Sequence, residues 1–230
     1  MPRCLLNIDL GELPDEPAEL YCLAQVANVA CGGHAGDEQS MRAALLHCRA
    51  QGTAVFAHPS YPDREGFGRR ALALSQQEVA QSVVQQVHTL LRLSAEAGVT
   101  VEGLKLHGAL YHSADADDAL AMAILQALPG LAVCGPAGGA QQRAAASRGL
   151  AYRVEKFADR GVAADGKLLP RDAPGALITD PAAACLLAVG YARSGAAQTV
   201  CVHGDNPRAV EVARAVRQGL DALTSGSTPP

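Results

Sequence analysis

The sequence predicts an α/β fold, a parallel sheet closed into a (β/α) barrel, and three observations carry that expectation. Short apolar runs alternate with longer segments of helical period along the 230 residues, the pattern of parallel strands joined by right-handed helical crossovers. Hydrophobic residues make up 49% of the chain but aromatic ones only 3%, and Trp is absent. A core of Ala, Val, Leu and Ile suits strands covered by helices better than an aromatic-rich sandwich. The unusual polar clusters fall at the C-terminal ends of the proposed strands, six in all. An open sheet gathers function at one switch point, whereas a barrel brings every strand end to one mouth.

The first strand is expected at Cys4–Asp9, an apolar run carrying Asn7 and Asp9, two apart and therefore on one face. Leu10, Gly11 and Glu12 follow it. The second, Val26–Ala30, carries Asn28 and runs into Cys31-Gly32-Gly33-His34-Ala35-Gly36-Asp37. Glycines there allow positive φ or close approach of a ligand, and the free N–H groups of the helix expected at Glu38–Ala50 favour an anion. Asp37 serves equally as that helix's N-cap, and Cys31 fits a buried thiol better than a nucleophile. The third strand, Ala54–His58, leads into a stiff Pro- and Gly-containing loop with Asp63 and the tandem Arg69 and Arg70, which suit carboxylate or phosphate oxygens.

Ser75-Gln76-Gln77-Glu78 is a capping box opening a helix at Gln76–Ala97, whose Val79, Val83, Val87 and Leu91 make one apolar stripe before Gly98 ends it. A strand at Gly103–His107 places Lys105 and His107 on one face. Then come a helix at Ala116–Ala127, a strand at Leu131–Cys134, a glycine turn at Gly135–Gly139 and a helix at Gly139–Ser147. That turn lacks the Lys-Ser/Thr of a phosphate-binding P-loop. A strand at Ala151–Glu155 leads to Asp159 and Arg160, and a further strand is expected at Ala176–Ile178. A helix at Ala182–Ser194, a strand at Thr199–His203 with Asp205 just beyond, and a helix at Pro207–Leu223 complete the pattern. Residues 1–224 make one domain, and 225–230 a frayed tail.

The formal charge of −4 and pI near 6.0 leave no basic stripe for nucleic acid. No apolar run reaches a membrane span or a signal peptide. Seven Cys without regular spacing suit reduced thiols of a cytoplasmic protein. His34, His58, His107 and His203, with Asp9 and Asp63, also offer ligands to a divalent metal, although no pair forms a tight local motif.

Seven ordered segments resemble the LamB/YcsF family. They are Asn7…Asp9-Leu10-Gly11-Glu12; Ala27 through Gly32 with His34 to Asp37; Ala57 through Asp63; Gly66 through Arg70; His107 through Tyr111; Phe157 through Arg160; and Val202 through Asp205. The resemblance implies a distorted, deacetylase-like barrel of about seven parallel strands. It also implies an ATP-dependent 5-oxoprolinase, in which ATP, as co-substrate with Mg2+, drives opening of 5-oxoproline to glutamate alongside two partner subunits. On that basis Asp9 is the first choice of general base, ahead of His107 and Asp63, with Lys105 stabilising negative charge. Asn7, Glu12, Asn28, His34, His58, Arg69, Arg70, Glu155, Asp159, Arg160, His203 and Asp205 form the substrate and phosphate site. Gly33 and Phe56 depart from the family's usual bulky and small residues at those positions, and the segment between Glu12 and Asn28 is short. Two other functions fit the same residues: a metal-dependent amidohydrolase or deacetylase that needs no ATP, and a binding barrel without turnover.

Overall fold

The protein was studied as a computed structural model, which describes residues 3–163 and 167–225. Seven parallel strands close into a barrel in sequence order: β1 (Leu5–Leu10), β2 (Val26–Ala30), β3 (Ala54–His58), β4 (Val101–Lys105), β5 (Ala132–Gly135), β6 (Tyr152–Phe157) and β7 (Thr199–His203), which pairs back to β1. The helices are α1 (Glu19–Leu23), α2 (Glu38–Gln51), α3 (Gln76–Ala97), α4 (Gly108–Ala116), α5 (Asp118–Ala127), α6 (Ala140–Ser147), α7 (Pro181–Arg193) and α8 (Ala209–Ser225). Among the described residues no helix is long and apolar enough to cross a membrane.

The two-residue period of the strands divides the core. Outward-facing Leu6, Ile8, Leu10, Val29, Val55, Leu104, Val200 and Val202 are buried with helix residues such as Leu45, Val83, Leu90 and Val212. The alternate positions Leu5, Val26, Ala54, Phe56, Ala132 and Cys134 form a separate small cluster, the floor inside the barrel. Phe56 fits there because Gly103 leaves room: a Cβ on Gly103 would lie 2.4 Å from the Phe56 ring. Above that floor the inward positions turn polar, with Asn7, Asp9, Asn28, His58, Lys105, Glu155 and His203 all buried. Register sets Asp9 opposite Asn28 on one side and His203 on the other.

Local chemistry fixes the helix ends. The Asp37 side chain accepts from the Ser40 amide, and the Ser40 hydroxyl reciprocates, so Asp37 is the cap of α2. Ser75 and Glu78 form the expected box on α3, and Gly98 closes it at φ 65°. Three expectations are corrected. Ala176–Ile178 is not a strand: the segment loops back, and Leu177 makes a single antiparallel bridge to Arg160. The helix expected at Ala116–Ala127 is two helices, because Asp117 accepts from the Ala119 and Leu120 amides and starts α5 afresh. The fourth strand stops at Lys105, and His107 becomes the residue before α4. Of the tail expected at 225–230, Ser225 is the last residue of α8, and 226–230 lie outside the described residues.

Candidate active site

At the centre of the barrel mouth lies a buried ammonium. Lys105 Nζ, on the last residue of β4, donates to Asp9 Oδ1 at 2.7 Å and Asn7 Oδ1 at 3.2 Å, and contacts Glu155 Oε1 at 3.0 Å. Cys201 Sγ stands 3.0 Å away. Asn28 Nδ2 donates to both Asn7 Oδ1 and Asp9 Oδ1, while Asn7 Nδ2 donates to Thr199 Oγ1. Burial disfavours the charge on Lys105, but Asp9 and Glu155 more than reverse this and hold it firmly protonated. Against the upward push of burial, His58 and Lys105 keep Asp9 well below the usual carboxylate range.

Beside it four side chains converge. Glu12 Oε1 is 2.9 Å from His34 Nε2, 3.4 Å from His107 Nδ1 and 3.7 Å from His58 Nε2. Backbone carbonyls orient two of the rings. His58 Nδ1 donates to the Lys105 carbonyl at 2.8 Å, and His107 Nε2 donates to the Phe67 carbonyl at 3.0 Å. Phe67 sits at φ 53°, a costly conformation outside glycine, and its ring packs edge-on to His34 and His107. Gly68 beside it admits no side chain: a Cβ would come within 2.9 Å of His34 Cβ. His34 stacks on His107 with ring centroids 3.6 Å apart, and burial brings its pKa down to about 4. Its Nδ1 has no hydrogen-bond partner among the described residues. These four groups are the residues here that can hold a metal ion, with Asp9, Cys201 and His203 a second, smaller group.

Two neighbouring features place Glu12 and His34. Glu16 accepts from the Gly11 amide at 2.7 Å and from the Tyr21 hydroxyl at 2.6 Å, so the short segment before β2 is tied to the strand end that carries Glu12. At Gly33 the missing side chain is replaced from α3: a Cβ would lie 2.4 Å from Gln86 Oε1, and Gln86 bonds both the amide and the carbonyl of Ser60.

On the other side of Asp9, His203 Nδ1 and Asp159 Oδ1 are 2.9 Å apart, and the Asp159 Oδ2 accepts from the His203 amide at 2.9 Å. Asn206 supports Asp159 at 3.2 Å. That leaves His203 Nε2 facing Asp9 Oδ2 at 4.0 Å. Burial pushes His203 down, but Asp159 outweighs it and raises its proton affinity above the ordinary value. Asp205 does not share this face. Beyond the strand end it pairs with Arg69 at 2.6 Å and with Arg171.

Other sequence-predicted residues sit on the surrounding loops. Asp63 is taken by Arg70 and by the Gly66 amide at 3.0 Å, which closes the 63–70 loop on itself. Arg160 is buried and donates to the carbonyls of Ala176 at 3.0 Å and Leu169 at 2.7 Å, so it holds the 160–177 loop. Cys31 is buried, with its pKa pushed up to about 12 by burial. A cavity of about 810 Å³ opens over the mouth; its wall includes Arg69, His107, Glu155, Lys156, Arg160 and Arg171. The basic excess suits a carboxylate or phosphate. Thr199, Cys201, Phe67, Arg171 and Asn206 were not anticipated. Thr199, Cys201 and His203 alternate along one strand, a pattern visible in the sequence; Arg171 lies in a loop with no such pattern.

Comparison with known proteins agrees with this geometry. The family model described as "LamB/YcsF family" matches residues 5–229. The A chain of the 5-oxoprolinase of Azorhizobium caulinodans, one subunit of that enzyme, is 39% identical, covering 100% of this chain and 99% of that one. The crystal structure of the lactam utilization protein from Thermus thermophilus superposes with a TM-score of 0.88 at 36% identity, over 96% of this chain and 97% of that one. A putative cellobiose-phosphate cleavage protein from Enterococcus faecalis, at TM-score 0.60 and 11% identity over 99% and 96%, shares the fold alone. With a matching model over nearly the whole length and a full-length relative at this identity, the chain belongs to the LamB/YcsF family.

Proposed function

We propose that this chain holds 5-oxoproline at the barrel mouth and opens its lactam to glutamate, within an assembly whose partner subunits bind and spend ATP. The observation that carries it is the Asp159–His203 pair aimed at Asp9 beside the buried Lys105 ammonium. A lactam resists water because amide resonance must be lost. Transfer of a phosphoryl group to the lactam oxygen makes the ring carbon electrophilic. His203 Nε2 then takes a proton from the attacking water, with Asp159 stabilising the resulting imidazolium. Asp9, held ionised by Lys105, is a weak base but a good acceptor for the same water. The ring nitrogen leaves with a proton from His203, and a second water releases phosphate from the acyl phosphate. Lys105 and the arginines of the cavity offset negative charge on the reacting oxygens and the substrate carboxylate.

The nucleotide is assigned to the partners because the glycine turn at 135–139 makes a poor phosphate cradle. A Cβ on Gly139 would lie 1.8 Å from the Asp115 carboxylate, so an acidic group already occupies the approach. The test is glutamate release from 5-oxoproline by this chain co-expressed with candidate partner subunits, with and without ATP. ATP-dependent release is expected, and none from a folded, assembled complex overturns the substrate assignment. The histidine cluster favours a second reading, amide hydrolysis without ATP, which the ATP-free arm detects directly.

A further inference from the structure

We infer that Glu12, His34, His58 and His107 form a binding site for one zinc-like divalent cation. The inference stands on geometry and does not rest on the lactam assignment. The four candidate ligand atoms lie within 4.8 Å of one another, and all four residues are buried. The resolved separations are 2.9, 3.4 and 3.7 Å from Glu12 Oε1 to His34, His107 and His58, and 3.0 Å between His107 Nδ1 and His58 Nε2. Metal–ligand bonds near 2.0–2.1 Å put the corners of a tetrahedron about 3.3 Å apart, so these spacings bracket the edges of a four-coordinate site.

The tautomers give the second observation. The Lys105 and Phe67 carbonyls take the N–H groups of His58 and His107. Neutral rings so held present two bare lone pairs to each other across 3.0 Å, which repel unless a cation lies between them. An imidazole whose outer N–H is fixed by a backbone carbonyl is the usual support of a metal ligand. His34, low in proton affinity through burial, completes three nitrogens and one carboxylate oxygen, the donor set of a borderline ion such as zinc rather than magnesium or calcium. His107 also lines the cavity, so a bound ion would stand at its wall as a Lewis acid. The competing occupant is a single proton shared between the two rings.

The full-length chain is stripped with a chelator, reloaded with zinc, and measured by elemental analysis and by titration against a chromophoric chelator. One zinc per chain is expected, with affinity falling at least about tenfold in Glu12→Gln and in His58→Asn and unchanged in His88→Asn on the exposed face of α3. Thermal melting of the metal-free variants checks folding, and the near-isosteric Glu12→Gln decides if His58→Asn does not fold. Trace zinc only, which leaves the shared proton, would overturn the inference. So would unchanged affinity in Glu12→Gln, or a loss confined to Cys201→Ser and His203→Asn, which would place the ion in the smaller group.

Discussion

Replacing Lys105 by Met keeps the length of the stem and removes its charge. In the native protein that ammonium lies 2.7 Å from Asp9 and 3.0 Å from Glu155, and all three side chains are almost fully buried. The variant leaves two carboxylates inside the barrel with their shared cation gone. Removing one partner of a buried ion pair costs about 3–5 kcal/mol, a large part of the roughly 5–15 kcal/mol that holds a domain folded. The pH dependence carries the sign. Native Asp9 has a depressed pKa, so it contributes stability above the unfolded carboxylate range and loses it as pH falls through its folded value. Without Lys105, burial raises the proton affinity of Asp9, and its penalty appears above the unfolded value and grows with pH. Urea unfolding followed by circular dichroism should therefore show a deficit of about 3–5 kcal/mol near pH 7.5 that shrinks toward pH 5. Adding Asp9→Asn should recover part of it. A deficit below about 1 kcal/mol, or one that does not change with pH, would refute the electrostatic account of the barrel centre.

Other outcomes follow from the same geometry. Gly68→Ala places a Cβ 2.9 Å from His34 at φ 66°, so it should cost on the order of 1–2 kcal/mol from the left-handed backbone alone and disturb the His34–His107 stack; melting and turnover together check this. Asp63→Ala frees Arg70 and the Gly66 amide, and should raise proteolysis within the 63–70 loop while leaving the far side of the barrel protected from hydrogen exchange. Iodoacetamide at pH 8 should label exposed Cys22 quickly and leave Cys31 and Cys201 unlabelled until denaturant is added, because burial raises the proton affinity of both; mass spectrometry of peptides reads the pattern.

Much of this architecture was legible in the chain, and the failures have physical causes. Asn7 and Asp9 lie two apart in an apolar run, and both reach Lys105, as strand parity requires. The capping box at Ser75 and the glycine at 98 bounded α3 to the residue. Ala176–Ile178 misled because a loop folded onto the barrel buries Ala176 much as a strand would. Helix α4 was missed because its nine residues start directly after the β4 end, where Gly108 reads as a turn. Roles within the site were less legible than membership. Asp63, Arg70 and Arg160 are charged residues beside the mouth, as expected, but their partners are loop atoms distant in sequence, which no local pattern reveals. The preference among bases depends likewise on a contact between β7 and the segment after β6, where Asp159 holds His203.

The most direct measurement compares glutamate release by complexes assembled with the wild-type chain and with His203→Asn, at saturating 5-oxoproline and ATP. The account predicts that the variant assembles normally and that its turnover falls by about 10²–10⁴, the usual contribution of a general base. Near-normal turnover in an intact His203→Asn complex would contradict it and remove the Asp159–His203 pair from the chemistry.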